Sequence, residues 1–166
     1  RHLLDEKAEL LGEIDAFAIL RPTSPFRTPD TIHRAFCEFS KKPDAHSLRA
    51  VEKVSQHPGK MWIIRNGNLL PLFPFGDPPW HSSATQLLPA IHVQNASLEI
   101  TRPGCVYDHN SISGSVIVPF LTEEIEGFDI NTEKDWKEAE RIVSNTPDLI
   151  DPRIAAYLLS NRDLIK

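Results

Sequence analysis

The chain has 166 residues, of which 40% are hydrophobic and 25% charged, and its formal net charge at pH 7 is −5. This composition indicates a globular domain and excludes a disordered tail. The acidic balance excludes general binding to nucleic acid backbones, which needs clustered Lys and Arg.

Residues 1–166 are enough for a single domain with a buried core. No run approaches the roughly 20 apolar residues of a membrane-spanning helix, and the charged, amphipathic start is unlike a secretory signal. Cys37 and Cys105 show neither a metal pattern nor a disulfide framework, and the 7 histidines lack the spacing of zinc ligands. The sequence therefore predicts a cytoplasmic protein with no membrane contact.

The first part of the chain alternates between helical and extended patterns. Apolar residues at 3–11 form a helical stripe, and the apolar run 16–20 predicts a strand of the kind buried in a parallel sheet. A sharp loop follows. Thr28 is the expected N-cap of a helix that runs to about Ser40, with Pro29 in its first turn.

The middle of the chain predicts a hairpin and a long loop. Strands are expected at 46–54 and 61–65, and the Asn66-Gly67 pair after the second strand is a strong hairpin signal. The proline-rich segment 71–83 contains three aromatic residues, so we expect an ordered loop over a site or an interface.

The last part of the chain returns to alternating elements. Three more strands are expected at 95–100, 115–118 and 128–130. Thr132 or Asn131 then caps a helix, and a final helix covers about 151–159. The three tryptophans are expected to pack in the core or against loops. Strands that alternate with helices early and form hairpins later indicate an α/β domain with a mixed sheet.

Five segments carry information about function. In chain order they are LRPTSPFR at 20–27, HPGKMW at 57–62, TQLLP at 85–89, NASLEI at 95–100 and GFDINT at 127–132. Their order and content resemble motifs of the acylneuraminate cytidylyltransferases. The family versions are Leu-Gln-Pro-Thr-Ser-Pro-Leu-Arg, His-Pro-x-Lys-Met, Arg-Gln-x-Leu-Pro, Asn-Gly-Ala-Ile-Tyr-Ile and Ile-Asp-Ile-Asp-Thr. The resemblance covers nearly the whole chain.

The resemblance implies a fold and a reaction. The fold is a three-layer α/β/α sandwich with a mixed sheet, of the nucleotide-diphospho-sugar transferase type. The reaction joins CTP and an acidic nine-carbon sugar, a nonulosonic acid of the sialic-acid kind, to give the CMP-sugar and pyrophosphate with Mg²⁺ as cofactor. The resemblance also implies a homodimer, for which the segment 102–115 is the expected dimerisation arm.

The family begins with a glycine- and basic-rich loop that wraps the CTP phosphates, and no segment of the chain resembles it. We therefore expect that the chain corresponds to the C-terminal two-thirds of the family domain and does not turn over CTP alone. An alternative is a catalytically incomplete or split remnant that binds the sugar and dimerises. A related cytidylyltransferase for an eight-carbon acid sugar fits the segments 85–89 and 95–100 less well.

The late motif suggests the metal site. Asp129 and Asn131 are two residues apart on the expected strand 128–130, so both side chains are expected on one face, where their oxygens reach a single Mg²⁺. The family usually has two aspartates here. Asn131 has a second interpretation, as the N-cap of the following helix.

The resemblance assigns further site residues, each with a structural alternative. Lys60 is expected to contact the sugar acid or a phosphate, and with Asp129 it is assigned a catalytic role. The alternative is that Lys60 is a solvated surface charge. Arg21 stands where many members have a substrate-contacting glutamine, and its guanidinium suits a carboxylate. Its alternative is a salt bridge at the sheet edge.

The remaining expected contacts surround the sugar. Thr23 and Ser24 offer hydroxyl groups to the ligand or only hold their turn. Gln86, Asn95 and Glu99 are assigned to substrate binding by their places in the motifs. Glu99 departs from the tyrosine common in the family, which leaves the identity of the sugar open.

Overall fold

The computed structural model describes residues 2, 4–6, 14–146 and 149. Two compact units make up the chain: Arg1–Ala50 with Asn95–Lys166, and Val51–Gln94. Residues 2 and 4–6 are helical, whereas most of the expected first helix and all of the expected helix at 151–159 lie outside the described residues. Within the described part of the chain, no helix is long and apolar enough to cross a membrane.

Six strands and three further α-helices follow one another along residues 14–146. In chain order they are β1 (Phe17–Ile19), α1 (Pro29–Ser40), β2 (Ser47–Lys53), β3 (Trp62–Arg65), β4 (Asn68–Pro71), β5 (His92–Thr101), α2 (Pro103–His109), β6 (Ile117–Leu121) and α3 (Glu133–Asn145). Short 3₁₀ turns lie at Pro58–Lys60, Trp80–Ser82 and Thr85–Leu87.

Four strands form one mixed sheet in the order β1-β5-β2-β6. Strand β1 runs antiparallel to β5, with Phe17 opposite Thr101. The N–H groups of His46 and Ser47, at the start of β2, both donate to the Val116 carbonyl, which lies just before β6, so β2 and β6 run in the same direction. The chain is therefore an α/β protein with a mixed sheet, as its sequence predicts.

Strand β5 carries the core on one of its faces. Its alternate residues Leu98 and Ile100 are fully buried because successive strand residues point to opposite sides of the sheet. The core that they join combines residues of α1, of β2 and the loop before it, and of β6: Ala35, Phe39, Ala45, Leu48, Ala50 and Phe120.

Helix α1 begins where the sequence places its cap. The Thr28 hydroxyl accepts a hydrogen bond from the Thr31 N–H at 3.1 Å, and the Thr31 hydroxyl accepts one from the Thr28 N–H at 3.1 Å. This reciprocal capping box satisfies two N–H groups that the first helical turn leaves without partners. Pro29 occupies the first turn, where a missing N–H has no cost.

Glu126 ties the segment after β6 to helix α1. Its two carboxylate oxygens accept hydrogen bonds from Arg34 Nη2, at 2.6 and 2.7 Å. The carboxylate accepts two more hydrogen bonds, one from the Thr31 hydroxyl and one from the Glu123 N–H. Burial alone would raise the pKa of Glu126, but these hydrogen bonds together hold it below its ordinary value.

This ion pair makes the stability depend on pH. Because the folded pKa of Glu126 is lowered, its contribution is complete above the pKa of the unfolded chain and is lost as the pH falls through the folded value. We expect Glu126→Gln to cost about 1–2 kcal/mol at pH 7 and to cost almost nothing below about pH 3. Urea unfolding at several pH values measures this difference. A cost that stays constant down to pH 3 contradicts the assignment.

The unit Val51–Gln94 contains the predicted hairpin. Asn66 (φ 52°) and Gly67 (φ 79°) both take left-handed conformations, which a type I′ turn between β3 and β4 requires. The hairpin exposes apolar side chains on both faces, and Ile64 is the most exposed of them at 77%. Trp62 on β3 is partly exposed and packs its ring against His81 in the following loop, with centroids 4.8 Å apart, as expected. Trp136 on α3 is 54% exposed, so the expectation that it is packed is wrong.

Two sequence expectations are corrected at the end of the sheet. Residues 128–130 form no strand; they run irregularly, and the Ile130 N–H donates to the Thr23 carbonyl instead of to a sheet neighbour. Asn131 is not the cap of α3. That role belongs to Thr132, which forms a capping box with Asp135.

The segment 102–115, expected as a dimerisation arm, packs within its own unit. It begins with α2, in which Cys105 is buried. Farther on, the Ser113 carbonyl accepts a hydrogen bond from the Ser47 hydroxyl, and the Ser113 hydroxyl accepts one from Arg49, both at 2.6 Å. The contact of this segment with a second copy stays a prediction.

Candidate functional site

The two motifs most distant in sequence meet in the structure. The Ser24 hydroxyl donates to Asp129 Oδ1 at 3.5 Å, and the Ile130 N–H donates to the Thr23 carbonyl at 2.9 Å. Below these contacts, the rings of Phe26 and Phe128 pack with centroids 5.4 Å apart. The loop 20–27 and the segment 127–132 therefore form one surface, although about a hundred residues separate them in the chain.

Ser24 holds the turn of this loop. It is buried, and its N–H donates to the Arg21 carbonyl at 3.3 Å. Thr23 is exposed on the same turn. Of the two hydroxyl groups that the sequence assigns to the ligand, only that of Thr23 faces solvent.

Asp129 and Asn131 lie side by side, as the sequence predicts, although they are not on a strand. Asn131 Nδ2 donates to Asp129 Oδ2 at 2.9 Å. The Asn131 N–H donates to Asp135 Oδ2 at 3.1 Å, which fixes the backbone at the start of α3. Both oxygens of Asp129 thus receive hydrogen bonds, from Ser24 and from Asn131.

Asp129 is the one carboxylate that this surface offers to a metal. Mg²⁺ usually keeps several waters and binds proteins through one or two carboxylates together with substrate phosphates. Asn131 presents its Nδ2 to Asp129, so toward that carboxylate it acts as a hydrogen-bond donor and not as a second ligand. Among the described residues, no group of three or more His, Cys, Asp or Glu side chains is arranged to hold a metal.

A second cluster lies beside the same loop, around Glu99. Glu99 is 2% exposed, and its Oε1 accepts a hydrogen bond from Arg21 Nη2 at 2.7 Å. Its Oε2 pairs with Arg49 Nη1. Burial lowers the pKa of Arg49, and the positive charge of Arg21 lowers it further. Arg21 therefore forms the salt bridge that was its structural alternative, and Glu99 faces two arginines.

Arg27 links the loop to strand β5. Its Nη1 donates to the Ser97 carbonyl, and its Nη2 donates to the Arg21 carbonyl at 3.2 Å. Burial lowers the pKa of Arg27. Sequence reasoning assigned no role to Arg27 or Arg49. The only sequence signal was in strand β5, where the polar residues Ser97, Glu99 and Thr101 alternate with the apolar residues Leu98 and Ile100.

Asn95 is held by the chain itself. Its Nδ2 donates to the Thr122 hydroxyl at 2.8 Å, and its Oδ1 accepts from the Ser97 N–H at 3.2 Å. These bonds fix the start of the buried part of β5. They give Asn95 a structural role next to the Glu99 cluster.

Lys60 and Gln86 belong to the other unit, Val51–Gln94. Lys60 Nζ donates to the carbonyls of His81 and Ser83, so it is neither a free surface charge nor fully occupied, since an ammonium has three donors. Gln86 is exposed in a 3₁₀ turn, and no described residue makes a hydrogen bond to its side chain.

His57 fixes the turn that carries Lys60. Its Nδ1 accepts from the Gly59 N–H at 3.0 Å, and its Nε2 lies 3.0 Å from the Pro89 carbonyl, so the Nε2 atom carries the proton. The segments 57–62 and 85–89, both singled out by the resemblance, are thus joined within one unit.

Comparison of the chain with protein-family models and with curated proteins gives no match. The functional interpretation therefore depends on the five motifs and on the contacts that the structure makes between them.

Proposed function

We propose that the chain is the sugar- and metal-binding part of a cytidylyltransferase that forms a CMP-activated nonulosonic acid from CTP. The observation that supports this most directly is the meeting of loop 20–27 with segment 127–132 at Ser24 and Asp129. The mixed sheet with helices is compatible with the three-layer sandwich that the resemblance implies, and both the sandwich and a cytoplasmic location are part of the proposal.

The proposed reaction forms one P–O bond and breaks another. The anomeric hydroxyl of the sugar attacks the α-phosphorus of CTP and loses its proton, and pyrophosphate leaves with the electrons of the broken bond. Because charge stays on phosphate oxygens, catalysis consists mostly of positioning and of cationic stabilisation. Asp129 would hold Mg²⁺, which when bound neutralises phosphate charge. Arg21 orients the acidic sugar. Within its own unit, Val51–Gln94, Lys60 has one N–H left for an anionic group.

The test is pyrophosphate release from CTP in the presence of Mg²⁺ and N-acetylneuraminate. It is run on the chain alone and on the chain joined to a glycine- and lysine-rich phosphate-binding segment. We expect turnover only in the joined protein, because backbone N–H groups of that loop cradle the phosphates. A joined protein that folds, binds CTP and still releases no pyrophosphate contradicts the proposal.

A second candidate is a sugar-binding, dimerising subunit without catalysis. It is favoured by Asp129, whose two carboxylate oxygens already accept hydrogen bonds from Ser24 and Asn131 within the chain. Calorimetric titration separates the candidates: binding of the sugar without any binding of CTP and Mg²⁺ in the joined protein supports the second.

We further propose a homodimer. Two surfaces compete for the contact: the segment 102–115, where Ile112 is 36% exposed, and the β3–β4 hairpin, where Ile64 is 77% exposed. Since buried apolar area drives association, we expect Ile64→Lys to weaken the dimer about tenfold or more, and Ile112→Lys to weaken it less. Light scattering across micromolar concentrations measures both. A strict monomer throughout contradicts the dimer.

A further inference from the structure

Residues 97–101 of strand β5 have one apolar and one polar face, and both are buried. Leu98 and Ile100 enter the core, whereas Ser97, Glu99 and Thr101 point to the opposite side of the sheet. A buried polar face on an inner strand is the informative exception to the usual pattern of burial. It indicates that this side of the sheet is built around charged or polar partners.

Three arginines from other parts of the chain contact β5, and we call Arg21, Arg27 and Arg49 the arginine cluster. Arg21 and Arg49 each pair with one oxygen of Glu99, and Arg27 donates to the Ser97 carbonyl. The cluster is thus assembled from the end of β1, the loop before α1 and strand β2.

The charges of the cluster do not balance. Arg21 and Arg49 share one carboxylate, and Arg27 forms no ion pair with any described residue. Burial lowers the pKa of Arg27 and of Arg49, since the surrounding protein disfavours their charged forms. Unpaired positive charge that is partly removed from water is costly, and a bound anion relieves it.

Arg21 is the member of the cluster that faces solvent. Its side chain is 45% exposed, whereas that of Arg49 is 10% exposed. Arg21 uses Nη2 for Glu99, and among the described residues no acceptor binds its Nη1 or Nε groups. A guanidinium binds the two oxygens of a carboxylate through Nη2 together with either Nη1 or Nε, and Glu99 leaves one N–H of Nη2 for such a pair.

We propose that the arginine cluster binds a carboxylate. Arg21 makes the contact, Glu99 holds Arg21 in position, and Arg49 balances the charge of Glu99 from inside the protein. The Ser97 hydroxyl on the same face is buried without a hydrogen-bond partner among the described residues, and at 0% exposure it does not reach the ligand. The choice of an acidic sugar as the carboxylate rests on the proposed function; the cluster itself recognises the anion.

This assignment changes the role of Glu99. At 2% exposure it cannot reach a ligand in solution, so it is a positioning residue and not a substrate contact. Its negative charge also opposes the approach of an anion. Replacing it by glutamine keeps an oxygen acceptor for Arg21 and removes that repulsion.

The test is calorimetric titration of the chain with N-acetylneuraminate and with its methyl ester, which lacks the negative charge. We expect the ester to bind at least about tenfold more weakly, and Arg21→Gln to weaken binding of the acid by a similar factor, since a hydrogen-bonded charge contact typically contributes that much. Arg21→Lys keeps the positive charge but lacks the paired N–H donors of a guanidinium, so it should recover part of the lost affinity. Glu99→Gln should bind the acid a few-fold more tightly.

The matched control is Arg141→Gln, which removes an exposed arginine that pairs with Glu138 on α3. It should leave the affinity unchanged. The proposal is overturned if the acid and the ester bind equally, or if Arg21→Gln binds the acid with unchanged affinity. It is also overturned if Glu99→Gln loses binding while its melting temperature is unchanged. Competition by inorganic phosphate or pyrophosphate with equal strength identifies a phosphate site and overturns the carboxylate. Titration with CTP and Mg²⁺ is done separately on the joined protein: carboxylate binding without CTP binding there would contradict nucleotidyl transfer only.

Discussion

Asp129→Ala is expected to lower the rate of pyrophosphate release by roughly 10²–10³, measured in the protein joined to a phosphate-binding segment. Asp129 is the only carboxylate that the late motif brings to loop 20–27, and Asn131 beside it is neutral. In the proposed site, removing this carboxylate takes away the anionic ligand that would hold Mg²⁺ at the phosphates. A contact of this kind to a reacting phosphate contributes about 3–4 kcal/mol.

Folding should change little in this variant. Asp129 accepts two hydrogen bonds, and the one from Ser24 is long at 3.5 Å. A partly exposed hydrogen bond of this sort contributes about 1 kcal/mol. The rate is therefore expressed per folded molecule, with a thermal melt of each protein.

Glu133→Ala is the matched control. Glu133 is also a carboxylate at the start of α3, but it is exposed and pairs with Lys137 at 2.7 Å. Its loss should change the free energy of unfolding by less than about 1 kcal/mol and leave the rate per folded molecule unchanged. Asn131→Asp should lower the Mg²⁺ concentration needed for half-maximal rate, because it adds a second carboxylate. If Asp129→Ala melts far lower and keeps a normal rate, Asp129 is a structural residue.

Local signals predicted the local structure well. Thr28 and Pro29 marked the start of α1 because capping uses groups within four residues of each other. Asn66-Gly67 marked the hairpin because a type I′ turn needs two left-handed residues, which this pair adopts readily. In both cases the interaction that decides the structure is contained in the sequence segment itself.

Long-range contacts explain the wrong predictions. Residues 128–130 have an extended pattern, but the partner of Ile130 is the Thr23 carbonyl, more than a hundred residues away, and not a neighbouring strand. The side chains of Asp129 and Asn131 still meet. Their adjacency was predicted from strand alternation and is produced instead by a direct hydrogen bond.

The arginine cluster in the candidate site also depends on long-range contacts, which the sequence alone does not reveal. Arg21 and Glu99 are 78 residues apart, and Arg27 and Ser97 are 70 apart. The sequence marked Arg21 and Glu99 as separate substrate contacts by their motifs. Only the register of β1 against β5, with Ile19 opposite Glu99, brings the end of β1 to the buried carboxylate.

Glu99→Ala is expected to destabilise the folded chain by about 3 kcal/mol. The loss comes mainly from Arg49, whose side chain is 10% exposed and which would remain buried without its carboxylate. Arg49 keeps one hydrogen bond, from Nη2 to the Ser113 hydroxyl at 2.6 Å. The pair with Arg21 adds little, because Arg21 is about half exposed and solvent screens the interaction.

Thermal and urea unfolding measure this loss, and for a chain of this length we expect the melting temperature to fall by roughly 6–12 °C. The double variant Glu99→Leu with Arg49→Met tests the cause. It removes both charges and keeps apolar volume, so it should recover most of the stability, since isolated buried charge is what costs free energy. Arg21→Gln alone should change the free energy of unfolding by less than about 1 kcal/mol. If the double variant is no more stable than Glu99→Ala, the loss arises from packing around Glu99, and the electrostatic account of the arginine cluster is wrong.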